Sequence, residues 1–186
     1  MQEIFDRLEA IYPMSEGLKA YLVQVVQPVE VAKRKFLLEP GKVARHLYFI
    51  AAGQVRCYYI KDGDEVSTWF MGVGDVITSV LSFYRQRASF EYIQALEDCE
   101  LYSISHDDLQ YIYRNFLEFN FIARVLTEEY YMQSEERLFS IRRRTAKERY
   151  RYLVECWPKL LMKIPQKYIA SYIDMGVRTM RRSKVA

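Results

Sequence analysis
The residues of this chain best suited to chemistry are cations gathered near one end. Residues 141–186 hold 13 Lys+Arg against 3 Asp+Glu, net +10, whereas residues 1–140 hold 14 against 21, net −7, so the overall +3 conceals an acidic body and a basic tail. The runs that matter are Arg142, Arg143 and Arg144, then Arg178, Arg181, Arg182 and Lys184. Cations so concentrated suit a polyanion, because neutralising phosphates dominates nucleic-acid affinity. A solvated basic face gives the same pattern, so both readings stand at this point. If the partner is duplex DNA, an Arg paired bidentately with guanine contributes about 1–3 kcal/mol of discrimination. Lys184 and Arg142 to Arg144 are better suited to backbone phosphates.

Catalytic constellations are missing from the sequence. Its two histidines, His46 and His106, lie about sixty residues apart, too far for a His-x-His metal motif, and there is no nucleophile elbow, Walker loop or dinucleotide glycine pattern. An enzyme is not expected. Cys57, Cys99 and Cys156 are odd in number and widely spaced, which encodes neither a disulfide framework nor a cysteine cluster. A haem ligand would have to come from His46 or Met14, and a lone histidine is more often structural. With no long apolar run and no basic, apolar leader at its start, the chain is expected to be cytoplasmic and to make no membrane contact.

The elements that must carry these residues follow from periodicity. Ile4, Leu8, Ile11, Leu18 and Leu22 recur at helical spacing, with Pro13 and Ser15 dividing two short helices. From Phe36 the period becomes 2: Leu47, Phe49 and Ala51 alternate with Tyr48 and Ile50, and a second run covers 55–60. Asp62-Gly63 suits the positive φ angles of a tight hairpin, so 66–71 should pair back on that run. Residues 72–75 form another turn, 76–90 a looser crossing segment, and 92–95 and 101–104 supply closing strands. Many short strands divided by turns indicate a jelly-roll sandwich or barrel.

After Ser105, a candidate N-cap, the pattern is helical for over thirty residues. Phe121, Val125, Met132 and Phe139 form one stripe, widened by Ile122, Leu126 and Tyr130, which is more apolar surface than a small barrel covers. A twin helix in a C2 dimer would cover it, and packing on the chain's own barrel is the other possibility. The Arg142–Arg144 run marks a boundary. A second helix follows, stopped by Pro158; Pro165 opens a third with Tyr168, Ile169, Tyr172 and Ile173 buried; and a short basic segment, 176–184, closes the chain. Such a trio fits a helix-turn-helix module.

In order and spacing these segments resemble the Crp/Fnr superfamily over nearly the whole chain. The residues concerned are Glu39-Pro40-Gly41, Leu47 to Arg56, Gly72-Val73-Gly74-Asp75-Val76-Ile77, Gln94 to Asp98, Ala146 to Tyr150 and Ile164 to Ala170. The resemblance implies an α+β protein: an N-terminal double-stranded β-helix or jelly-roll barrel, a long dimerisation helix, and a small all-α helix-turn-helix. Residues 1–140 would be the cyclic-nucleotide-binding-like part and 141–186 a short DNA-binding module without a wing.

The departures from that pattern shape the expected function. Aligned without gaps from Gly74, the family's ribose-binding Gly-Glu pair and phosphate-binding Arg fall on Thr78, Ser79 and Ser89, so cyclic AMP is not expected to bind. Arg85 and Arg87 lie nearby, where they either substitute for the missing Arg or remain solvated. An effector pocket, if kept, would use Thr78, Ser79, Phe83, Tyr84, Ser89 and Phe90, which serve equally well as packing residues. In the second module Ala170 takes the small helix-crossing position and Asp174 the turn usually given to Gly. Either Asp174 itself adopts a left-handed backbone or Gly176 absorbs the turn. Arg178, Thr179, Met180 and Arg182 then fall on the helix that reads the major groove. The expected protein is a homodimer, joined through the helix around 117–139, that binds double-stranded DNA and responds to an unidentified small molecule or to none. The alternative is a small-molecule sensor or protein-interaction module that has kept the barrel and lost specific DNA binding.

Overall fold
The computed structural model describes residues 1–158 and 162–184, with side chains except at 156 and 181–184. By compactness the chain divides into two units, Met1–Cys57 with Phe70–Glu128, and Tyr58–Trp69 with Glu129 onward. The class is α+β, with eight strands in two four-stranded sheets and one long helix among the described residues.

Two short helices open the first unit, α1 (Gln2–Glu9) and α2 (Glu16–Val25). Ser15 caps α2 by accepting the Leu18 N–H, while Leu18 and Leu22 bury its inner face. Eight strands follow: β1 (Gln27–Val31), β2 (Phe36–Leu38), β3 (His46–Ala52), β4 (Val55–Lys61), β5 (Asp64–Met71), β6 (Val76–Ile77), β7 (Tyr92–Ala95) and β8 (Cys99–Ser105). One sheet has the order β1-β8-β3-β6 and the other β2-β7-β4-β5. The expected barrel is therefore not closed. The three-residue β2 and the two-residue β6 each end a sheet, and ladders so short hold too few hydrogen bonds to bridge to the other sheet.

Register is antiparallel, with Gln27 opposite Ser103 and Leu47 opposite Ile104. β1 lies outside the expected strands; its Pro28 cannot donate to a ladder and is tolerated because β1 is an edge. The β4–β5 turn forms as its sequence requires, with Asp62 at φ 53° and Gly63 at φ 86°. Gly53, at φ 93°, cannot be replaced without strain: a Cβ there would lie 2.6 Å from both the Asp98 carbonyl oxygen and Cys99 Sγ. The crossing segment holds a helix that its sequence did not betray, α3 (Val80–Arg85), ended by Gln86 in a left-handed conformation. Ile50, Val55, Phe83, Ile93, Leu101, Ile112 and Ile122 make the core of this unit. Each such side chain stabilises by roughly 1.5–3 kcal/mol.

Ser105 caps α4 (His106–Asn115) by accepting the Asp108 N–H. The expected continuous helix is broken at Phe116, whose φ of −127° is not helical, and α5 (Leu117–Arg143) starts afresh beyond it. Phe119 and Ile122 are buried, but the stripe through Phe121, Met132 and Phe139 is 42%, 57% and 49% exposed.

In the second unit α6 (Ala146–Cys156) begins with a complete capping box: Thr145 Oγ1 accepts the Glu148 N–H, and the Glu148 carboxylate accepts the Thr145 N–H at 2.8 Å. The Thr145 N–H and hydroxyl, both donating to that carboxylate, hold it below its usual range. Next come α7 (Gln166–Tyr172), with Pro165 at its N-cap, and α8 (Val177–Lys184), which packs on α6 and α7. The turn between α7 and α8 runs through Asp174 at φ 52°, whereas Gly176 has no positive φ. No helix among the described residues is long and apolar enough to cross a membrane.

Candidate functional site
Two regions hold the residues singled out by sequence, one in each unit. In the first, Ser79 stands at the N-cap of α3, just after β6, and its hydroxyl lies 3.0 Å from that of Ser89 and donates to Glu91 Oε2 at 2.8 Å. Ser89 Oγ accepts the Glu91 N–H at 2.9 Å, which ties the buried Ser79 and Ser89 and the partly buried Glu91 into one network. Ser79, Ser89 and Phe90 line a cavity of about 190 Å³, together with the exposed Arg85 and Arg87. Both arginines thus reach the site's edge.

Thr78 is separated from that group. Its hydroxyl donates to the His46 carbonyl at 3.0 Å, and it lines a neighbouring cavity of about 160 Å³ with Arg45, His46 and Tyr48. Phe83 is wholly buried, edge-on to His106 at 5.3 Å, and lines neither cavity. It is a packing residue. Tyr84 is half exposed and lines neither cavity.

Glu91 and Ser82 are the residues that sequence reasoning missed. Ser82 Oγ accepts the Ala44 N–H and donates to the Arg87 carbonyl, which fixes the loop after α3. Ser89-x-Glu91 is a short side-chain-to-backbone turn whose only sequence signal is a Ser two places before an acid. Glu91 also bears on Cys57: burial, with the Glu91 charge second, pushes the Cys57 thiol well up and keeps it protonated. Such a thiol is unreactive at neutral pH.

In the second unit α8 is anchored by Met180, which is fully buried, leaving Arg178 and Thr179 exposed on its surface. The side chains of Arg181, Arg182 and Lys184 lie outside the described residues. Of the three arginines at the end of α5, Arg142 and Arg143 are exposed, with Arg143 5.2 Å from the Phe139 ring. Arg144 is partly buried, its Cζ 3.7 Å from the centre of the Tyr152 ring and its Nη1 donating to Ser140 Oγ at 3.4 Å. It packs as much as it presents charge.

Residues 28–116 match the cyclic nucleotide-binding domain family. No curated protein matches the chain by sequence. Among solved structures it is similar to the c-di-GMP-responsive global regulator CLP of Xanthomonas campestris, at a TM-score of 0.72 and 14% identity, over 91% of this chain and 89% of that one. FixK2 of Bradyrhizobium japonicum superposes at a TM-score of 0.71 with 19% identity, over 87% and 83% of the two chains. A protein from Eubacterium rectale assigned as a transcriptional regulator of the Crp/Fnr family gives 0.72 and 17%, over 91% and 82%. Residues 28–116 thus resemble a cyclic nucleotide-binding domain. The chain that carries it has the fold of Crp/Fnr transcriptional regulators.

Proposed function
We propose that this protein is a homodimeric DNA-binding transcription regulator of the Crp/Fnr type that does not respond to cyclic AMP. The observation that carries the reading is α8: a helix anchored by the buried Met180 displays Arg178 and Thr179 on a segment with net charge +10. A short helix fixed on one face and basic on the other suits insertion into a major groove. The turn before it supports the same reading, since Asp174, at φ 52°, has the left-handed backbone that a helix-turn-helix would need there. Residues 141–186 would be that module. Arg142 and Arg143, exposed at the end of α5, would contact phosphates, and Arg181, Arg182 and Lys184 add to the positive charge of the same segment of sequence.

Dimerisation would cover the exposed Phe121, Met132 and Phe139 stripe of α5 with its twin. Insensitivity to cyclic AMP is supported by the Ser79, Ser89 and Glu91 network. The Glu91 carboxylate, held 2.8 Å from Ser79 on a residue whose backbone N–H donates to Ser89, the position that aligns with the family's phosphate-binding Arg, would repel a cyclic phosphate. Any effector of this pocket is a small molecule of another kind.

The test is fluorescence anisotropy of the protein with its own promoter fragment and with a scrambled duplex, at two salt concentrations, with and without cyclic AMP. Promoter-selective binding unchanged by cyclic AMP is expected. Arg178→Ala should reduce selective affinity by about 1–3 kcal/mol, and Arg142→Ala should weaken binding to both duplexes while lowering the salt slope by about one. Equal, salt-sensitive binding to both duplexes, or none, overturns the regulator reading and leaves the first unit to carry the function.

A further inference from the structure
The second unit contains a cavity of about 200 Å³ that none of the candidate effector or DNA-contacting residues lines. Its walls are aromatic and aliphatic: Tyr152, Leu153, Trp157 and Tyr172, with the Trp157 and Tyr172 rings 5.9 Å apart. Two guanidinium groups and one carboxylate also line it, those of Arg137, Arg149 and Glu136. Glu136 already accepts the Tyr152 hydroxyl at 3.0 Å.

The two arginines are incompletely used. Arg137 sits over the Tyr172 ring and donates through Nη2 to the carbonyls of Ser67 and Tyr172 at 3.4 and 3.3 Å, both long for such bonds. Arg149 donates to the carbonyls of Ile141, Arg144 and Asp174. In both residues Nε is buried with no acceptor among the described residues. Two such donors beside one cavity are costly unless an acceptor reaches them, and a carboxylate matches the guanidinium fork.

We propose that this cavity is a binding site for a monocyclic aromatic carboxylate, whose ring lies among Trp157, Tyr172 and Leu153 and whose carboxylate is taken by Arg137 and Arg149. Size supports that class, because a cavity of about 150 Å³ holds a benzene ring. A neutral aromatic of the same shape would gain the walls but leave the donors unmet. The site stands independently of whether this unit binds DNA.

Benzoate is the probe, with benzyl alcohol as its uncharged counterpart. In full-length protein carrying Trp69→Phe, quenching of Trp157 fluorescence should saturate with benzoate, at about tenfold or more higher affinity than with benzyl alcohol. Arg137→Met should remove that preference. Because this variant also loses two backbone contacts, the unmutated protein is read in parallel by the ¹⁵N–¹H signals of its arginine Nε groups. Two of them should shift with benzoate and stay unmoved with benzyl alcohol. Non-saturating quenching, equal affinity for both probes, or Nε signals unmoved by saturating benzoate would each overturn the proposal.

Discussion

Ser171→Ala is the most informative single change in the second unit. β5 is the outer strand of its sheet, so its outward-facing backbone groups have no neighbouring strand to pair with. At Ser67 both groups find partners elsewhere: its N–H donates to Ser171 Oγ at 3.1 Å on α7, and its carbonyl accepts from Arg137 on α5. The two hydroxyls, Ser171 Oγ and Ser67 Oγ, lie 3.0 Å apart. Ser67 has no exposed surface, so water is excluded from taking over. Deleting the Ser171 hydroxyl therefore orphans a buried backbone N–H, which costs about 1–3 kcal/mol, the higher values applying where nothing relaxes. Both tryptophans, Trp69 and Trp157, belong to this unit, so urea unfolding followed by tryptophan fluorescence reads it directly. The midpoint should fall with the slope unchanged, and the exposed Ser134→Ala should stay within about 0.5 kcal/mol of the parent. A Ser67→Ala, Ser171→Ala cycle, in which Ser67 keeps its N–H, should show coupling of about 0.5–1.5 kcal/mol from the hydroxyl pair. If Ser171→Ala matches Ser134→Ala, the edge of β5 is not held in this way.

Gly53→Ala and Gly41→Ala share a positive φ but not their surroundings, since nothing lies within 4 Å of a Cβ at Gly41. Thermal melts should show backbone strain of about 1–2 kcal/mol at Gly41 and a further 1–3 kcal/mol of steric cost at Gly53, and equal losses would refute the assignment of Gly53 to close packing. Thr145→Ala removes the cap of α6 and should cost about 1 kcal/mol in urea unfolding; a change indistinguishable from zero would mean that the capping box is idle. Because the folded-state pKa of Glu148 is depressed, its contribution is present above the ordinary 4.5 and is lost as pH falls through the folded value. The parent's stability advantage over Glu148→Gln should accordingly shrink on acidification, and an advantage that grows there would contradict the sign. Met132→Asp with Phe139→Asp should convert a dimer to a monomer in analytical ultracentrifugation, since two charges would replace exposed apolar contacts. An unchanged mass would exclude this face of α5 as the interface.

What could be read from the sequence divides along the range of the interactions. The Asp62-Gly63 turn, the Ser15 and Ser105 caps and the helix opened by Pro165 depend on residues within four positions of each other, and each formed where its signal stood. β1 did not declare itself because its partner, β8, is some seventy residues away and Pro28 argues against a strand unless that strand is known to be an edge. α3 was hidden because a six-residue helix with no side-chain cap bond shows too little period, and its end is set by Ser82, which binds back to Ala44. Glu91 was missed for a similar reason, since its importance comes from Ser79, twelve residues earlier and on another element.

The turn at Asp174 shows how a departure from a family pattern is decided by structure. Sequence left two candidates for the left-handed residue, and a glycine at 176 was sterically the easier one. The chain instead bends at Asp174, where the Met175 N–H donates back to the Ala170 carbonyl at 2.9 Å and the Asp174 N–H to that of Ser171. Ala170 is buried and small, so α8 can approach α7 closely only if the turn is this tight. Moving the positive φ two residues later would lengthen α7 and rotate α8, displacing Met180 from its buried position. Asp174 is thus tolerated because the packing of Met180 and Ala170 fixes the turn, and the orientation of Arg178 and Thr179 follows from that packing.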